Sequence, residues 1–419
     1  MQNLTEWLVW IKSITLKEID LSLIRVKEVL ARLHYGSHAL VITVAGTNGK
    51  GSTVKALETI YLEAGFSVGA FTSPYLLHYN EQIRINGKSC DDATICDAFA
   101  KVKAHAGRIP LTPFEFGTLA ALCVFSKQPL DVMILEVGLG GRLDAVNAID
   151  ADLSIVTTIA IDHVDWLGKT REAIGREKAG IFRQNRPAIC GDFDPPSTLI
   201  NYAKEIDAPL FAQNKQFGFK ENKTSWDWWS LNTSLKDLKI PHLNCQNLST
   251  ALMAIELLQK SLFVPESVIR NALLKVTLPG RIQVIPGEIP QILDVSHNPH
   301  AVSLLANYLL KNPIEGKTYA VFSMLADKDI ASTVEVIEKQ IDRWHIAPLH
   351  IPRGSDKNTL EAIFQKIADW KMCETIVEAY EEILSKATKN DRIVVFGSFH
   401  TVGEILCYSS KSSLDFKSP

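Results

Sequence analysis

Residues 44–53, VAGTNGKGST, constrain the fold of this 419-residue chain more than any other segment. An apolar run precedes them, and a run with helical character follows. A strand, a glycine-rich turn and a helix in this order direct backbone N–H groups and the positive end of a helix dipole to one position, which suits a phosphate group. Lys50 adds a positive charge, and Ser52 or Thr53 could contact a magnesium ion. The segment therefore predicts a site for a nucleoside triphosphate.

The loop departs from the usual phosphate-loop pattern at two positions. Val44 stands where that pattern has its first glycine, and Gly51 stands where it has serine or threonine after the lysine. The alternative is a glycine-rich turn that binds nothing. The order of strand, glycines, lysine, hydroxyls and helix favours phosphate binding.

The composition is that of a soluble globular protein, with 46% hydrophobic and 22% charged residues. A formal net charge of −3 gives no global basic field, so we expect no nucleic-acid partner. The seven cysteines are scattered without a Cys-x-x-Cys pair, which is typical of reduced thiols and gives little support to a thiol nucleophile or a zinc site. With no membrane-length apolar run and no secretion signal, we expect a cytoplasmic protein without a membrane partner.

Strands and helices alternate along most of the chain. Residues 1–38 are expected to be helical, with apolar residues at helical spacing from Leu16 to Leu33. Short apolar strands at 68–72, 130–135 and 153–158 then alternate with helices. This pattern predicts a parallel, doubly wound sheet, in which ligands lie beyond the carboxyl ends of the strands.

Two further regions complete the predicted architecture. Residues 213–240 are polar and predict small antiparallel strands, with their three tryptophans in local packing rather than in a base-stacking platform. A Pro279-Gly280 pair predicts a hinge, and a second alternating series follows it, with strands at 289–294, 318–322, 345–351 and 392–396. The fold class is α/β: a doubly wound P-loop nucleotide-binding domain, residues 1–279, followed by a smaller Rossmann-like α/β domain, residues 280–419.

Polar side chains follow the strands of the first domain. Glu136 ends an apolar strand before a glycine-rich loop, and beside a triphosphate it would be a magnesium ligand rather than a partner for a surface lysine. His163 lies between Asp162 and Asp165 after the next strand, and the pattern leaves it open between a metal ligand and an ordinary polar residue. Lys178 lies on the following helix, where the pattern alone indicates a solvated face.

The second domain offers fewer candidates. Arg281 follows the hinge, and an arginine from a second domain could neutralise a transferring phosphoryl group. Asp294 and His297 follow a strand, and could instead cap the helix that begins at Pro299. Ser398 follows the last strand in the same manner.

Six motifs of this chain occur together in one known family. They are GTNGKGS at 46–52, EVGLGGRLDA at 136–145, DHVDWLG at 162–168, REKAGI at 176–181, LPGR at 278–281 and HNPH at 297–300. From about residue 14 to 402 the chain resembles the folylpolyglutamate synthase/dihydrofolate synthase family of the Mur ligase superfamily. The Phe114-Glu115 pair and the Asp165-Trp166 loop resemble the bifunctional bacterial members most.

The resemblance implies a role for each matching residue. Lys50, Lys178, Arg281 and His297 would be catalytic, and Lys178 would be carbamylated. The implied ATP-binding residues are Gly46, Thr47, Asn48, Gly49, Lys50, Gly51, Ser52, Asn247, Arg281 and Asp294. The implied ligands of magnesium, of which two ions are expected, are Ser73, Glu136, His163 and Lys178. The implied substrate-binding residues are Phe114, Asp144 and Ala145 for the pterin, and His297 and Ser398 for the incoming glutamate.

The resemblance further implies a monomeric, ATP-dependent ligase. It would move the γ-phosphoryl group of ATP to a carboxylate, and the amine of L-glutamate would then attack the acyl phosphate. Dihydropteroate and reduced folates are the expected acceptors. Two alternatives stay open: a ligase that joins amino acids to a cell-wall nucleotide precursor, which should carry a uridine-nucleotide domain before residue 41, and a regulatory nucleotide switch, for which an Asn-Lys-x-Asp motif is missing from a suitable strand end.

Overall fold

The computed structural model of the chain describes residues 3–15, 17 and 19–411. It forms two compact units, and the division lies between Thr277 and Leu278. The Pro279-Gly280 pair places the expected boundary two residues later.

An eight-stranded sheet forms the centre of the first unit, in the spatial order β4-β3-β2-β5-β1-β6-β7-β8. The run from β2 to β8 in this order is parallel, whereas β3 is antiparallel to β2 and β4 to β3. The strands are β1 Leu40–Ala45, β2 Val68–Phe71, β3 Ile83–Ile85, β4 Lys88–Ser89, β5 Val132–Glu136, β6 Leu153–Val156, β7 Ala188–Cys190 and β8 Leu210–Ala212. The predicted parallel sheet is confirmed, and its carboxyl edge carries the candidate residues.

Ten helices in the described part of this unit connect or precede the strands. They are α1 Leu4–Ile14, α2 Ile24–Arg32, α3 Lys50–Glu63, α4 Asp92–Ala106, α5 Pro113–Phe125, α6 Val164–Leu167, α7 Arg171–Ala179, α8 Ser197–Glu205, α9 Cys245–Leu257 and α10 Glu266–Lys275. Short 3-10 turns cover Tyr79–Gln82 and Ala145–Ala148. The start of α5 is specified locally, because Thr112 and Glu115 form a reciprocal capping box and Pro113 occupies the first turn.

The helical prediction for residues 1–38 holds only in part, for Leu4–Ile14 and Ile24–Arg32. Thr15 leaves α1 in an extended conformation (φ −80°, ψ 119°), and α2 begins only at Ile24. The aromatic ring of Trp7 instead anchors α1 to α4 and α5, with ring centroids 5.8 Å from Phe99 and 6.5 Å from Phe116. Leu16, where the helical spacing begins in the sequence, lies outside the described residues.

The polar region after β8 forms the predicted antiparallel sheet. Its strands are β9 Phe217–Glu221, β10 Ser225–Ser230 and β11 Ser234–Lys239, in the order β11-β10-β9. Trp226 and Trp228 are buried, and their indole N–H groups donate to the carbonyls of Lys239 and Ser249. This confirms local packing for these two tryptophans, since a base-stacking ring would need an exposed face.

The second unit contains a six-stranded sheet in the order β12-β13-β17-β14-β15-β16, parallel except for β12. Its strands are β12 Gln283–Ile285, β13 Gln291–Asp294, β14 Thr318–Phe322, β15 Arg343–Ile346, β16 Trp370–Met372 and β17 Arg392–Phe396. Its helices are α11 Pro299–Lys311, α12 Ile330–Ile337, α13 Lys357–Phe364, α14 Ile376–Lys386 and α15 Phe399–Lys411, with a 3-10 turn at Glu338–Gln340. None of the helices in the described part of the chain has the length and apolar character needed to cross a membrane.

Candidate active site

The phosphate-loop segment lies between β1 and α3, as predicted. It is bound to the end of β6: the Thr47 amide donates to the Thr158 carbonyl (2.6 Å), and the Thr157 hydroxyl donates to the Asn48 carbonyl (2.7 Å). The Lys50 ammonium lies over the loop and donates to the Gly46 carbonyl at 3.1 Å. A cation and the first amides of α3 therefore face the same position.

Two glycines of this loop are sterically required. Gly46 (φ 150°) and Gly49 (φ 88°) both have positive φ values. A Cβ atom on Gly46 would lie 1.8 Å from the Thr157 hydroxyl oxygen, and one on Gly49 would lie 2.2 Å from the side-chain oxygen of Asn247. The structure therefore places Asn247, a predicted ATP contact on α9, directly against the loop.

The candidate metal ligands lie at or after the carboxyl ends of three strands of one sheet, β2, β5 and β6. Ser73 comes just after β2 and Glu136 ends β5, and the Ser73 amide donates to Glu136 Oε2 at 3.3 Å. His163 follows β6 with a left-handed backbone (φ 52°), and its amide donates to Asp162 Oδ1 at 2.8 Å. Across the described ranges, no group of three or more His, Cys, Asp or Glu side chains could hold a metal ion by itself. The set suits a magnesium ion that keeps water and phosphate oxygens, because Mg²⁺ is usually held by one or two carboxylates rather than a full protein cage.

Lys178 is not on a solvated face, so the pattern-based expectation for it is wrong. Its side chain, on α7, is only 3% exposed. Burial, reinforced by the positive charge of Lys50, lowers the pKa of Lys178 to about 7, and the negative charges of Asp162 and Asp144 oppose this shift. Lys178 therefore lies within electrostatic reach of both the phosphate loop and the Asp144 turn.

The predicted pterin-binding residues meet at the glycine-rich loop after β5. Asp144 is 3% exposed, and its two carboxylate oxygens accept from the amides of Leu139 (2.8 Å) and Val146 (3.0 Å). Burial raises the pKa of Asp144 to about 7. The ring of Phe114 lies against Gly138, where an added Cβ atom would be 2.6 Å from the ring. Phe114, Asp144 and the buried Ala145 thus border one loop.

The candidates of the second unit gather at the carboxyl ends of β13 and β17. The Arg281 guanidinium lies 5.0 Å from the ring centroid of Phe399, and the His297 ring lies 6.3 Å from it. Asp294 accepts from the amides of Ile282 (2.7 Å) and Ser296 (2.9 Å), and burial raises its pKa. Its carboxylate therefore fixes the turn next to Arg281.

The alternative role predicted for Asp294 and His297, capping of α11, is wrong. The side chain of Asn298, not either of those two, accepts from the Ala301 amide and caps the helix. Ser398 is buried, and its hydroxyl oxygen accepts from the Thr401 amide at 3.0 Å. That serine therefore stabilises the start of α15.

Sequence reasoning missed the residues that hold the loop after β2, residues 72–78, which contains Ser73. The carboxylate of Glu81 accepts from the amides of Leu76, Leu77 and His78 at 2.7–2.8 Å. Arg84 donates to the Thr72 hydroxyl at 2.9 Å and to the fully buried Glu58 on α3 at 3.0 Å. No local pattern indicated this network, because His78, three residues before Glu81, is not one of the residues that usually cap a helix.

Comparisons with known proteins agree on one family. Residues 44–273 match the Mur ligase middle domain, and residues 280–399 match the Mur ligase glutamate ligase domain. The dihydrofolate synthase/folylpolyglutamate synthase of Escherichia coli is 41% identical over 96% of this chain and 94% of its own length. A structure of E. coli FolC in complex with DHPP and ADP superimposes with a TM-score of 0.94 at 41% identity, covering 98% of this chain and 99% of that one. A bifunctional folylpolyglutamate synthase/dihydrofolate synthase with Mn, AMPPNP and L-glutamate bound gives 0.92 at 41% identity, with 98% of each chain covered.

Proposed function

Because the chain belongs to the dihydrofolate synthase/folylpolyglutamate synthase family of Mur ligases, we propose that the clustered residues of its first unit couple ATP cleavage to amide-bond formation. The protein is an ATP-dependent ligase that adds L-glutamate to 7,8-dihydropteroate, forming dihydrofolate, and to reduced folates, forming polyglutamates. A Mur-type cell-wall ligase is related only at the superfamily level. The phosphate loop carries the proposal, because the Lys50 ammonium lies over it and Asn247 lies directly against its Gly49.

The phosphate loop binds the triphosphate in this proposal. The amides at the start of α3 and the Lys50 ammonium hold the β- and γ-phosphates, and Asn247 lies against Gly49 on the same side. Lys50 loses its carbonyl contacts when it turns to a phosphate oxygen, which is a stronger, charge-assisted partner.

Ser73, Glu136 and His163 would hold the divalent cation. Their oxygen-rich donor set fits Mg²⁺, and relatives of known structure bind Mn. The ion supplies charge neutralisation at the phosphoryl group that is transferred. The protein's own contribution is to fix Glu136 and Ser73 on adjacent strand ends before ATP arrives.

Carbamylation of Lys178 would convert a buried cation into a metal-binding anion. A buried ammonium on Lys178 is electrostatically unfavourable beside the positive charge of Lys50, whereas a carbamate is attracted to Lys50 and to a divalent cation. The neutral amine nitrogen attacks carbon dioxide, an N–C bond forms, and a proton passes to water. The burial of Lys178 protects such a group from exchange with solvent.

The acceptor occupies the loop after β5 in this account. The Phe114 ring offers a face on which a bicyclic pterin stacks, and Asp144 has lone pairs left to accept from ring N–H groups. A carboxylate oxygen of the acceptor attacks the γ-phosphorus, and ADP leaves. The amine of L-glutamate then attacks the acyl carbon, phosphate leaves, and the amine loses its proton.

The second unit contributes two proposed roles. Arg281 binds ATP and stabilises negative charge, and His297 orients L-glutamate or takes the proton of its ammonium group. Asp294 acts by fixing the turn next to Arg281. Ser398 lies at the start of α15 and would serve the glutamate site through that helix terminus.

All seven cysteines are free thiols, which supports a cytoplasmic location.

Phosphate release tests the proposed function. With ATP, Mg²⁺ and L-glutamate present, dihydropteroate or tetrahydrofolate should stimulate release, and omission of L-glutamate or addition of EDTA should return it to background. If neither acceptor stimulates release, the proposal is wrong.

A further inference from the structure

A single arginine joins the segment between α1 and α2 to the start of α5. Arg25, on α2, donates from Nη1 to Asp20 Oδ2 at 2.9 Å and from Nη2 to the Asp20 carbonyl at 3.1 Å. The same guanidinium donates to Glu115 Oε1 at 2.9 Å. Arg25 thus binds the Asp20 segment and also Glu115, which lies 90 residues further along the chain.

Glu115 receives the arginine in a buried position. Its side chain is 4% exposed, against 19% for Arg25 and 35% for Asp20. The carboxylate also accepts from the Thr112 amide at 2.7 Å, so it fixes the first turn of α5 while it pairs with Arg25. A carboxylate buried this deeply depends on its counter-ion, because removing one partner of a buried ion pair leaves an uncompensated charge.

The first turn of α5 carries a proposed acceptor-binding residue. Phe114 directly precedes Glu115. Its ring lies against Gly138, and the centroids of the Phe114 and Phe71 rings are 5.8 Å apart. Helix α2 also packs against the 3-10 turn Ala145–Ala148, which begins at another proposed acceptor-binding residue. Helix α2 therefore contacts both elements that border the acceptor site.

We propose that Arg25 is a positioning residue for acceptor binding, an inference that rests on the proposed function. By holding Asp20 and Glu115 at once, it fixes the segment before α2 relative to the first turn of α5 and so sets the place of the Phe114 ring. Arginine suits this task because its planar guanidinium presents several donors in a fixed geometry. A lysine would keep the charge but could not hold both partners in that geometry.

Three variants test the assignment while keeping the protein folded. Arg25→Met combined with Glu115→Gln removes the ion pair without leaving a buried charge, and the amide oxygen of the new glutamine side chain can still accept from the Thr112 amide. Asp20→Ala removes only the link to the segment before α2. Arg25→Lys is the conservative variant, and its affinity for dihydropteroate should lie between that of these two variants and that of the wild type.

The expected result is a selective loss of acceptor binding. In the double variant, KM and the calorimetric Kd for dihydropteroate should rise about tenfold, which corresponds to about 1.4 kcal/mol. The KM for ATP and the affinity for an ATP analogue should change less than about twofold. Arg32→Met is the matched control. Arg32 lies on the same helix but donates to the His105 carbonyl at 3.1 Å, so its loss should leave KM and Kd unchanged for both dihydropteroate and ATP.

The outcomes separate the inference from the proposed function. If the wild type shows no dihydropteroate-dependent phosphate release, the proposed function fails. If the wild type is active and the double variant has a lower melting temperature with unchanged KM and Kd for dihydropteroate, Arg25 is only structural and the inference is overturned. An equal loss of ATP and acceptor affinity would overturn it as well.

Discussion

At the scale of single residues, two buried ionisable groups distinguish this site from an ordinary nucleotide-binding loop. The pKa of Lys178 is lowered to about 7 and that of Asp144 is raised to about 7, in both cases mainly by burial. Each side chain would be charged in water at neutral pH, so each requires compensation from its surroundings. Perturbed groups of this kind are typical of catalytic sites.

The role of Lys178 can be tested by removal and chemical rescue. Lys178→Ala should reduce the ligase rate by about a hundredfold, because the proposed carbamate ligand is lost, a change comparable to the loss of a metal-supporting group. Acetate, formate or bicarbonate should restore part of the rate. Lys204→Ala, on the neighbouring helix α8, is the matched control: it should keep the wild-type rate and show no response to these anions. Full activity of Lys178→Ala would contradict a role for the carbamate.

Single residues also mark the limit of sequence reasoning. Lys50, Ser73 and Glu136 were predicted as candidates, and the structure places them at one edge of the sheet. The burial of Lys178 was not predictable from helical spacing, because α7 carries little apolar pattern of its own. Arg25 was missed since its partner Glu115 is distant in sequence, and an ion pair of that kind leaves no local pattern.

At the scale of elements, helix α3 depends on a glycine at its start. Gly49 and Gly65 flank this helix with nearly equal φ values of 88° and 87°, but a Cβ atom would meet Asn247 at Gly49 and open space at Gly65. Gly49→Ala should therefore weaken ATP-analogue binding by more than about tenfold. Gly65→Ala should cost only about 1 kcal/mol of backbone strain and leave the affinity unchanged. Calorimetry checks both, and equal affinities would contradict the steric account.

Elements with strong local signals were predicted well. The strands at 318–322 and 392–396 match β14 and β17 residue for residue. The strand expected at 345–351 overlaps β15 only at His345 and Ile346, because β15 ends there and Pro348 has no N–H group to continue the ladder. Apolar residues beyond a strand can be buried by loops, and composition alone does not distinguish the two cases.

At the scale of the whole molecule, the order of motifs was more informative than any one motif. The phosphate loop departs from its usual pattern, and the position after Lys50 carries no hydroxyl. The remaining candidate metal ligands lie at or after the ends of three strands, β2, β5 and β6. These strands are distant in sequence and become part of one sheet only in the folded protein. The ligase function therefore depends on the architecture as much as on the loop.

The transfer of oxygen from the acceptor to phosphate tests the central claim most directly. Dihydropteroate labelled with ¹⁸O in its carboxylate would be incubated with ATP, Mg²⁺, L-glutamate and the protein, and the released phosphate analysed by mass spectrometry. An acyl phosphate predicts that each molecule of inorganic phosphate carries one oxygen atom from the acceptor carboxylate. Phosphate without the label, released together with glutamylated product, would contradict the account.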